Sequence, residues 1–290
     1  MPPLRRVNRK DRVGKNTVVK KQHSINKPTG VSTSPDKPLP LVERTNKLSL
    51  EEFLSLYVPS SELRFRRGNQ RSNSRPPSVN TSYNSTGQEE EKEYTLEIHT
   101  AGTIPAVDLE ECYKLIELTS SSAYKSSSIG WSPSEKKKEM KLPDMKYMIL
   151  RQASAPASRD AVQGDSSSSP VGGFLGFLEF MITYEDGKEV AYCYEIHLLP
   201  KAQRQRLGEE LMMRFERVGQ RIGLEKAMLT VFKSNTQAAN FYGRVGYEED
   251  ENSPRPRRLR NGMVKEADYR IMSKSLQQRV LHCTGGSLIR

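Results

Sequence analysis

Between residues 198 and 208 the chain reads Leu-Leu-Pro-Lys-Ala-Gln-Arg-Gln-Arg-Leu-Gly. An alternating apolar run ends there and helical spacing begins after it. The first turn of a helix carries unpaired N–H donors and a positive potential, so such a corner can hold a phosphate or pyrophosphate. Gln203, Arg204 and Arg206 add side-chain donors. Many strand-to-helix connections share this pattern, so the corner alone suggests a phosphate site without requiring one. Just upstream lie Tyr192, Cys193, Tyr194, Glu195 and His197. Taken alone, Glu195 reads as an exposed strand carboxylate and His197 as a hydrogen-bonded strand histidine. Cys193 reads as a small buried apolar residue.

The elements that must position these groups can be read from periodicity. Phe174 to Tyr184 is an apolar run, Glu185-Asp186-Gly187-Lys188 holds an Asp-Gly hairpin signal, and Val190 to Leu198 returns antiparallel. Strict alternation puts Tyr192, Tyr194 and Ile196 on one face, with Cys193, Glu195 and His197 on the other. Leu207, Leu211, Met212, Phe215, Val218 and Ile222 make a one-sided helix that Gly223 ends. Residues 226–232 form a strand, and Asn235 opens a second helix through Phe241 and Tyr242. Upstream, residues 94–99 and 145–150 alternate as strands, and Leu109, Cys112, Tyr113 and Ile116 line one helical face. Ser49 and Glu52 form a capping box at the start of a short amphipathic helix, 47–58.

The remainder is poor in core. Only 35% of the 290 residues are apolar and the formal charge is +11. Residues 1–46 read as a basic, disordered arm, 59–93 as a flexible insert, 153–171 as a Ser-rich loop and 276–290 as a tail. The arm suits a ribosome, nucleic acid, an import receptor or simple solvation. The three cysteines show neither disulfide nor zinc spacing, so no metal is expected. No apolar run reaches membrane-spanning length and the N-terminus has no apolar leader. The nucleus and cytoplasm are the expected locations, and a monomer the expected state.

Residues 192–247 resemble the GNAT superfamily of N-acetyltransferases. Gln203-Arg204-Gln205-Arg206-Leu207-Gly208 matches its acetyl-coenzyme A motif, Gln/Arg-x-x-Gly-x-Gly/Ala, with Arg206 in the first glycine position. Within the superfamily, Tyr192-Cys193-Tyr194-Glu195, Leu229-Thr230-Val231-Phe232-Lys233 and Gly130-Trp131 resemble the NatD type. That type acetylates the N-terminal serine of histone H4 and histone 2A.

The resemblance implies a mixed α/β GNAT fold over residues 94–275, with a central, largely antiparallel twisted sheet flanked by helices. It implies acetyl-CoA as co-substrate and Glu195 as general base, with Tyr194 placing the amine or a water and Tyr242 protonating the thiolate. Leu198, Leu199 and Lys201 would meet the pantetheine arm, and Gln203, Arg204, Gln205, Arg206, Leu207 and Gly208 the pyrophosphate. Asn235 would sit near the thiol. Tyr124, Trp131, Glu185, Tyr192 and Tyr269 would contact a histone N-terminal peptide. Glu179, Glu185, Asp186 and Glu195 share one hairpin and suggest a local acidic mouth for that basic peptide. Ile129 stands where the type has tryptophan, and Thr183 where it has aspartate. Transfer to a lysine or another N-terminus stays open, as does a non-catalytic basic protein that binds chromatin or RNA.

Overall fold

The computed structural model describes residues 38–68, 91–153 and 173–277. The expectations for residues 1–37, for 69–90 of the insert, for most of the Ser-rich loop and for most of the tail lie outside these. The helices are α1 (Leu41–Asn46), α2 (Leu50–Tyr57), α3 (Ala106–Ser126), α4 (Pro133–Glu139), α5 (Leu207–Ile222) and α6 (Thr236–Arg244). The strands are β1 (Arg64–Arg67), β2 (Lys92–Thr100), β3 (Lys146–Gln152), β4 (Gly173–Glu185), β5 (Lys188–Leu198), β6 (Lys226–Phe232), β7 (Glu248–Glu249), β8 (Arg257–Arg258), β9 (Val264–Lys265) and β10 (Tyr269–Ser275).

Among the described residues eight strands form one sheet in the order β1-β2-β3-β4-β5-β6-β10-β7, and β8–β9 is a separate hairpin. The pairs are antiparallel except β5–β6, which is parallel because α5 crosses over between them. The apolar stripe of α5, with Leu207, Leu211, Phe215 and Val218, packs on one sheet face. Cys112, Leu115, Ile116 and Met140, from α3 and the end of α4, pack on the other. The mixed, largely antiparallel sheet flanked by helices is the expected fold class.

Two segments differ from the sequence reading. Leu41–Asn46 is a helix with Val42 and Thr45 buried, where an unstructured arm was expected. Arg64–Arg67 is an edge strand paired with β2, where a flexible insert was expected. Charge hid both elements, because their docking is ionic as well as apolar. Glu62 pairs with Arg217 and Arg221, and Arg67 with Glu210, which ties this lobe to α5. The capping box of α2 is formed: Glu52 N–H donates to Ser49 Oγ, and Ser49 N–H to the Glu52 carboxylate.

Asp186 and Gly187 both have left-handed φ, 49° and 79°, which lets a two-residue turn join β4 and β5. The return strand then carries a bulge. Glu195 pairs with Glu179 and Cys193 with Phe180, so Tyr194 is an extra residue. This corrects the simple alternation. Tyr192, Tyr194, Glu195 and His197 lie on the α3–α4 face, and Cys193, Ile196 and Leu198 on the α5 face. Pairing of β5 with β6 ends at Cys193–Leu229, although the strands run on to Leu198 and Phe232. They diverge, and a cleft opens between them.

Candidate active site

The cleft has a volume of about 690 Å³. The free edges of β5 and β6 form its floor, the N-terminal turn of α5 and the face of α6 close one end, and Thr119, Ser120 and Tyr124 of α3 bound the other.

At the α5 end, residues 200–202 make a 3-10 turn. Gln203 Nε2 donates to Leu198 O at 3.0 Å, and Gln205 Nε2 to Lys201 O at 2.6 Å. Arg204 and Arg206 both have φ of 60°. The left-handed backbone explains why glycine suits position 206; arginine adopts it at a cost of about 1–2 kcal/mol. Arg206 is the N-cap of α5 and gives it no side-chain cap. Its guanidinium donates instead to Glu209 at 2.7 Å. The N–H groups of the first turn thus have no intrahelical partner, and Leu207, Gly208 and Glu209 line the cleft. Gly208 suits a close approach: a Cβ there would sit 3.3 Å from Phe241 Cζ of α6. Asn235 Oδ1 accepts from Ala238 N–H at 3.1 Å and so caps α6, while Asn235 itself lines the cleft. Tyr242 lines it too, and burial raises its pKa well above the usual phenol range, so its proton is retained.

The opposite end holds a buried polar network. Glu195 Oε1 accepts from Tyr124 Oη and from Lys136 Nζ, each at 2.8 Å. Lys136 Nζ also donates to Glu139 Oε1 at 2.5 Å and to Tyr124 Oη at 3.1 Å. Glu195 Oε2 meets His197 Nε2 at 2.7 Å, and His197 Nδ1 meets Thr119 Oγ1 at 2.7 Å. Burial alone would raise the Glu195 pKa. The charge of Lys136, joined by His197, outweighs burial and holds the carboxyl well below the usual range. Glu179 is different. It is fully buried, and burial together with the charge of Glu139 pushes its pKa well above the usual carboxylate range. Being fully buried, it is no part of an acidic mouth at the surface.

The aromatic groups gather beside this network. The Tyr124 ring stands edge-on to Phe232 at 5.1 Å and tilts against Trp131 at 5.6 Å, and Trp131 stacks on Tyr113. Tyr192 Oη shares a hydrogen bond with Thr230 Oγ1. Tyr269 pairs with Phe232 in the sheet, and Ser128 donates to Asp268 from the end of α3.

The structure thus brings Tyr124, Tyr194, Glu195, Leu198, Gln203, Arg204, Arg206, Leu207, Gly208, Asn235 and Tyr242 to one cleft. Leu199, Lys201 and Gln205 stand beside it without lining it; the Gln205 Oε1 accepts from Tyr94 instead. Trp131 backs the Tyr124 ring, while Tyr192 packs on Tyr194 and Tyr269 pairs with Phe232 in the sheet; none of the three lines the cleft. Glu185 lies at the hairpin tip, six residues and about 20 Å along β4 from Glu179. Burial, with Asp186 and Asp250 nearby, pushes its pKa up to about 7. Lys136, Glu139 and Thr119 were not singled out from sequence. Residues 134–141 are a charged helical segment in sequence, and nothing local shows that α4 docks with Lys136 and Glu139 inward. His197 lines the cleft, which its reading as an ordinary strand residue missed.

Residues 131–247 match the model of the acetyltransferase (GNAT) family. The match spans β4, β5, α5, β6 and α6, which line most of the cleft, so over those residues the chain is similar to acetyltransferases of the GNAT family. Among solved structures, the chain is similar to the PaiA N-acetyltransferase of Thermoplasma acidophilum in complex with coenzyme A. Identity is 17%, covering 62% of this chain and 99% of that one, with a TM-score of 0.41. It is also similar to spermidine N-acetyltransferase of Vibrio cholerae in complex with CoA and spermine. There identity is 16%, coverage 62% and 95%, and the TM-score 0.41. The cleft fits coenzyme A on its own geometry: an uncapped helix N-terminus, two arginines and a close-packed glycine meet at the mouth of splayed strands.

Proposed function

We propose that this acetyltransferase modifies the α-amine of an N-terminal serine, in histone H4 and histone 2A. The observation that carries the reading is the place of Tyr124. The two sequence blocks that resemble the NatD type become the diverging strands β5 and β6. Tyr124 spans both, its hydroxyl on Glu195 and its ring on Phe232. Such an arrangement suits a small ammonium group entering between an aromatic wall and a fixed carboxylate.

Acetyl-CoA, when bound, supplies an activated acetyl thioester. The chain's own groups do the rest. Arg204, Arg206 and the first-turn N–H groups of α5 hold phosphate charge. The unpaired edge of β5 beyond Cys193 offers N–H donors to an oxygen gaining negative charge. Tyr242 retains a proton for a departing thiolate. Tyr194, the bulge residue, is turned to the acceptor side, where burial keeps its hydroxyl protonated. Glu195 holds a fixed negative charge where the ammonium arrives. Glu185 and Asp186, farther along the hairpin, are placed to meet basic residues later in the peptide. The protein works as a monomer in nucleus and cytoplasm, and the basic arm contacts ribosome or nucleic acid.

Ile129 and Thr183, in place of tryptophan and aspartate, favour a second reading in which a lysine or another N-terminus is the acceptor. Purified protein, acetyl-CoA and a Ser-Gly-Arg-Gly peptide decide between them by mass spectrometry. Acetyl on the α-amine supports the first reading. Acetyl on lysine in an N-blocked control supports the second, and no α-acetylation sinks the first. Glu195→Gln is expected to lower turnover while coenzyme A binding by calorimetry stays close to wild type.

A further inference from the structure

The carboxylate of Glu195 is saturated. Oε1 takes hydrogen bonds from Tyr124 and Lys136, and Oε2 faces His197 Nε2. A group held by an ammonium and two further donors is a poor proton acceptor, because a base works best with a pKa near the operating pH. The proton of the incoming ammonium needs another destination.

We propose that His197, oriented by Glu195, is the terminal acceptor of that proton, received through the hydroxyl of Thr119. The inference rests on reading the cleft as an acetyl-transfer site, and not on which amine is the acceptor.

Thr119 is what makes the geometry specific. Its Oγ1 lies 2.7 Å from His197 Nδ1 and 2.7 Å from Leu115 O. The hydroxyl has one hydrogen and therefore two settings. With His197 neutral, Nε2–H donates to Glu195 Oε2, and Thr119 O–H donates to Nδ1. With His197 protonated, Nδ1–H donates to Oγ1, and the hydroxyl hydrogen turns to Leu115 O. Both charge states are satisfied without moving a heavy atom. A histidine with a purely structural role needs one such set. Both Thr119 and His197 line the cleft, and Thr119 is exposed at its α3 edge.

The step balances. An acceptor N–H, directly or through one water, gives its proton to Oγ1 as the proton of Oγ1 passes to Nδ1. The neutral amine is left with its lone pair, and the imidazolium is paired with Glu195. Lys136 keeps Glu195 ionised in both states. Other charged and titratable groups facing the pair are Glu139 on α4, Tyr124 on α3, Glu179 on β4 and Cys193 on β5. Burial pushes the Glu179 carboxyl, the Cys193 thiol and the Tyr124 hydroxyl toward their protonated forms. The imidazole is the group whose hydrogen-bond partners accommodate an added proton, through the two settings of Thr119.

Two measurements test this. The first is an imidazole nitrogen NMR titration of the full-length protein without substrates, with His197→Gln to identify the signal. Neutral His197 is expected as the Nε2–H tautomer. An Nδ1–H tautomer overturns the proposal, and this arm decides even if the serine peptide is no substrate. The second is the pH profile of kcat/KM with an accepted amine. Glutamine can keep both partners of His197, so His197→Gln should fold and bind acetyl-CoA normally. Its turnover should fall about 10²–10³-fold, and the acidic limb that follows the NMR midpoint should vanish. Thr119→Val should lose the same limb and Thr119→Ser restore it. Wild-type turnover and an unchanged limb in His197→Gln would return the proton to Glu195.

Discussion

Replacing Lys136 by methionine tests the electrostatics of the site without opening a large cavity, since the two side chains are similar in length. The Lys136 and Glu195 side chains are only 7% and 8% exposed, and the ammonium holds Glu195, Glu139 and Tyr124 together. Removing one partner of a buried pair leaves the other charge uncompensated, at a cost of about 3–5 kcal/mol. In a domain of this size that corresponds to a fall in Tm of roughly 6–20 °C. The pH dependence separates this cause from lost packing. In the wild type the Glu195 pKa is depressed, so its contribution is present above the unfolded carboxylate value, about 4.3. It is lost only as pH falls through the much lower folded value. In Lys136→Met, burial acts on Glu195 with His197 alone opposing it, and its pKa rises. Protonation then relieves the penalty as pH drops. Urea unfolding at pH 7 and pH 5 should show a large deficit at the first and a smaller one at the second. An equal deficit at both would mean that packing, not charge, makes Lys136 important. Lys136→Arg should keep the wild-type pH dependence if its charge reaches Glu195.

Other perturbations probe the remaining parts. Arg206→Gly relieves a left-handed arginine, so the protein should gain about 1 kcal/mol and melt some 2–4 °C higher by scanning calorimetry. A lower Tm would show that Arg206 is held by contacts its backbone does not reveal. Gly208→Val crowds the Phe241 ring, because even a Cβ stands 3.3 Å from its tip; overpacking should cost about 1–3 kcal/mol and weaken coenzyme A binding in calorimetry. Glu185 has its pKa raised to about 7, so ionising it opposes folding. Its contribution is present below the unfolded carboxylate value and declines as pH rises toward 7. Glu185→Gln should flatten that part of the stability profile.

Much of the coenzyme end was legible in the sequence because its causes are local. A proline corner, a one-sided helical stripe and the glycine at 208 define a strand-turn-helix without knowledge of distant partners. Asn235 as a helix cap was legible for the same reason. The left-handed conformation of Arg206 was not. Propensity argues against it, and the surrounding turn overrides propensity. The acceptor end was less legible because its causes are long-range. Tyr124, Lys136 and Glu195 lie on α3, α4 and β5 and meet only when both helices dock on the sheet. The bulge at Tyr194 misled strict alternation, for no residue type demands a bulge there. The helix at Leu41–Asn46 escaped notice because Pro40 and two charges obscure a stripe of two buried residues.

That bulge is also what gives β5 two chemical faces within three residues. In an unbulged strand of the same residues, alternation would place Tyr194 and Glu195 on opposite sides of the sheet. With it, the bulge tyrosine and the carboxylate face α3 and α4 together, while Cys193 and Ile196 still pack against α5. The same irregularity coincides with the end of β5–β6 pairing, so the free backbone edge and the acceptor-side carboxylate arise at one point of the strand. Deleting Tyr194 should therefore do more than remove a phenol. Cys193 would still face Phe180 and Glu195 would still face Glu179, now as neighbours in a regular strand, so Glu195 would keep its face and its contact with Lys136 while the bulge is lost. Tyr194→Phe keeps both the bulge and the ring. The deletion is expected to lose much more turnover than Tyr194→Phe at similar stability in urea unfolding. Equal losses of turnover in the two variants would mean that the bulge does not shape the site.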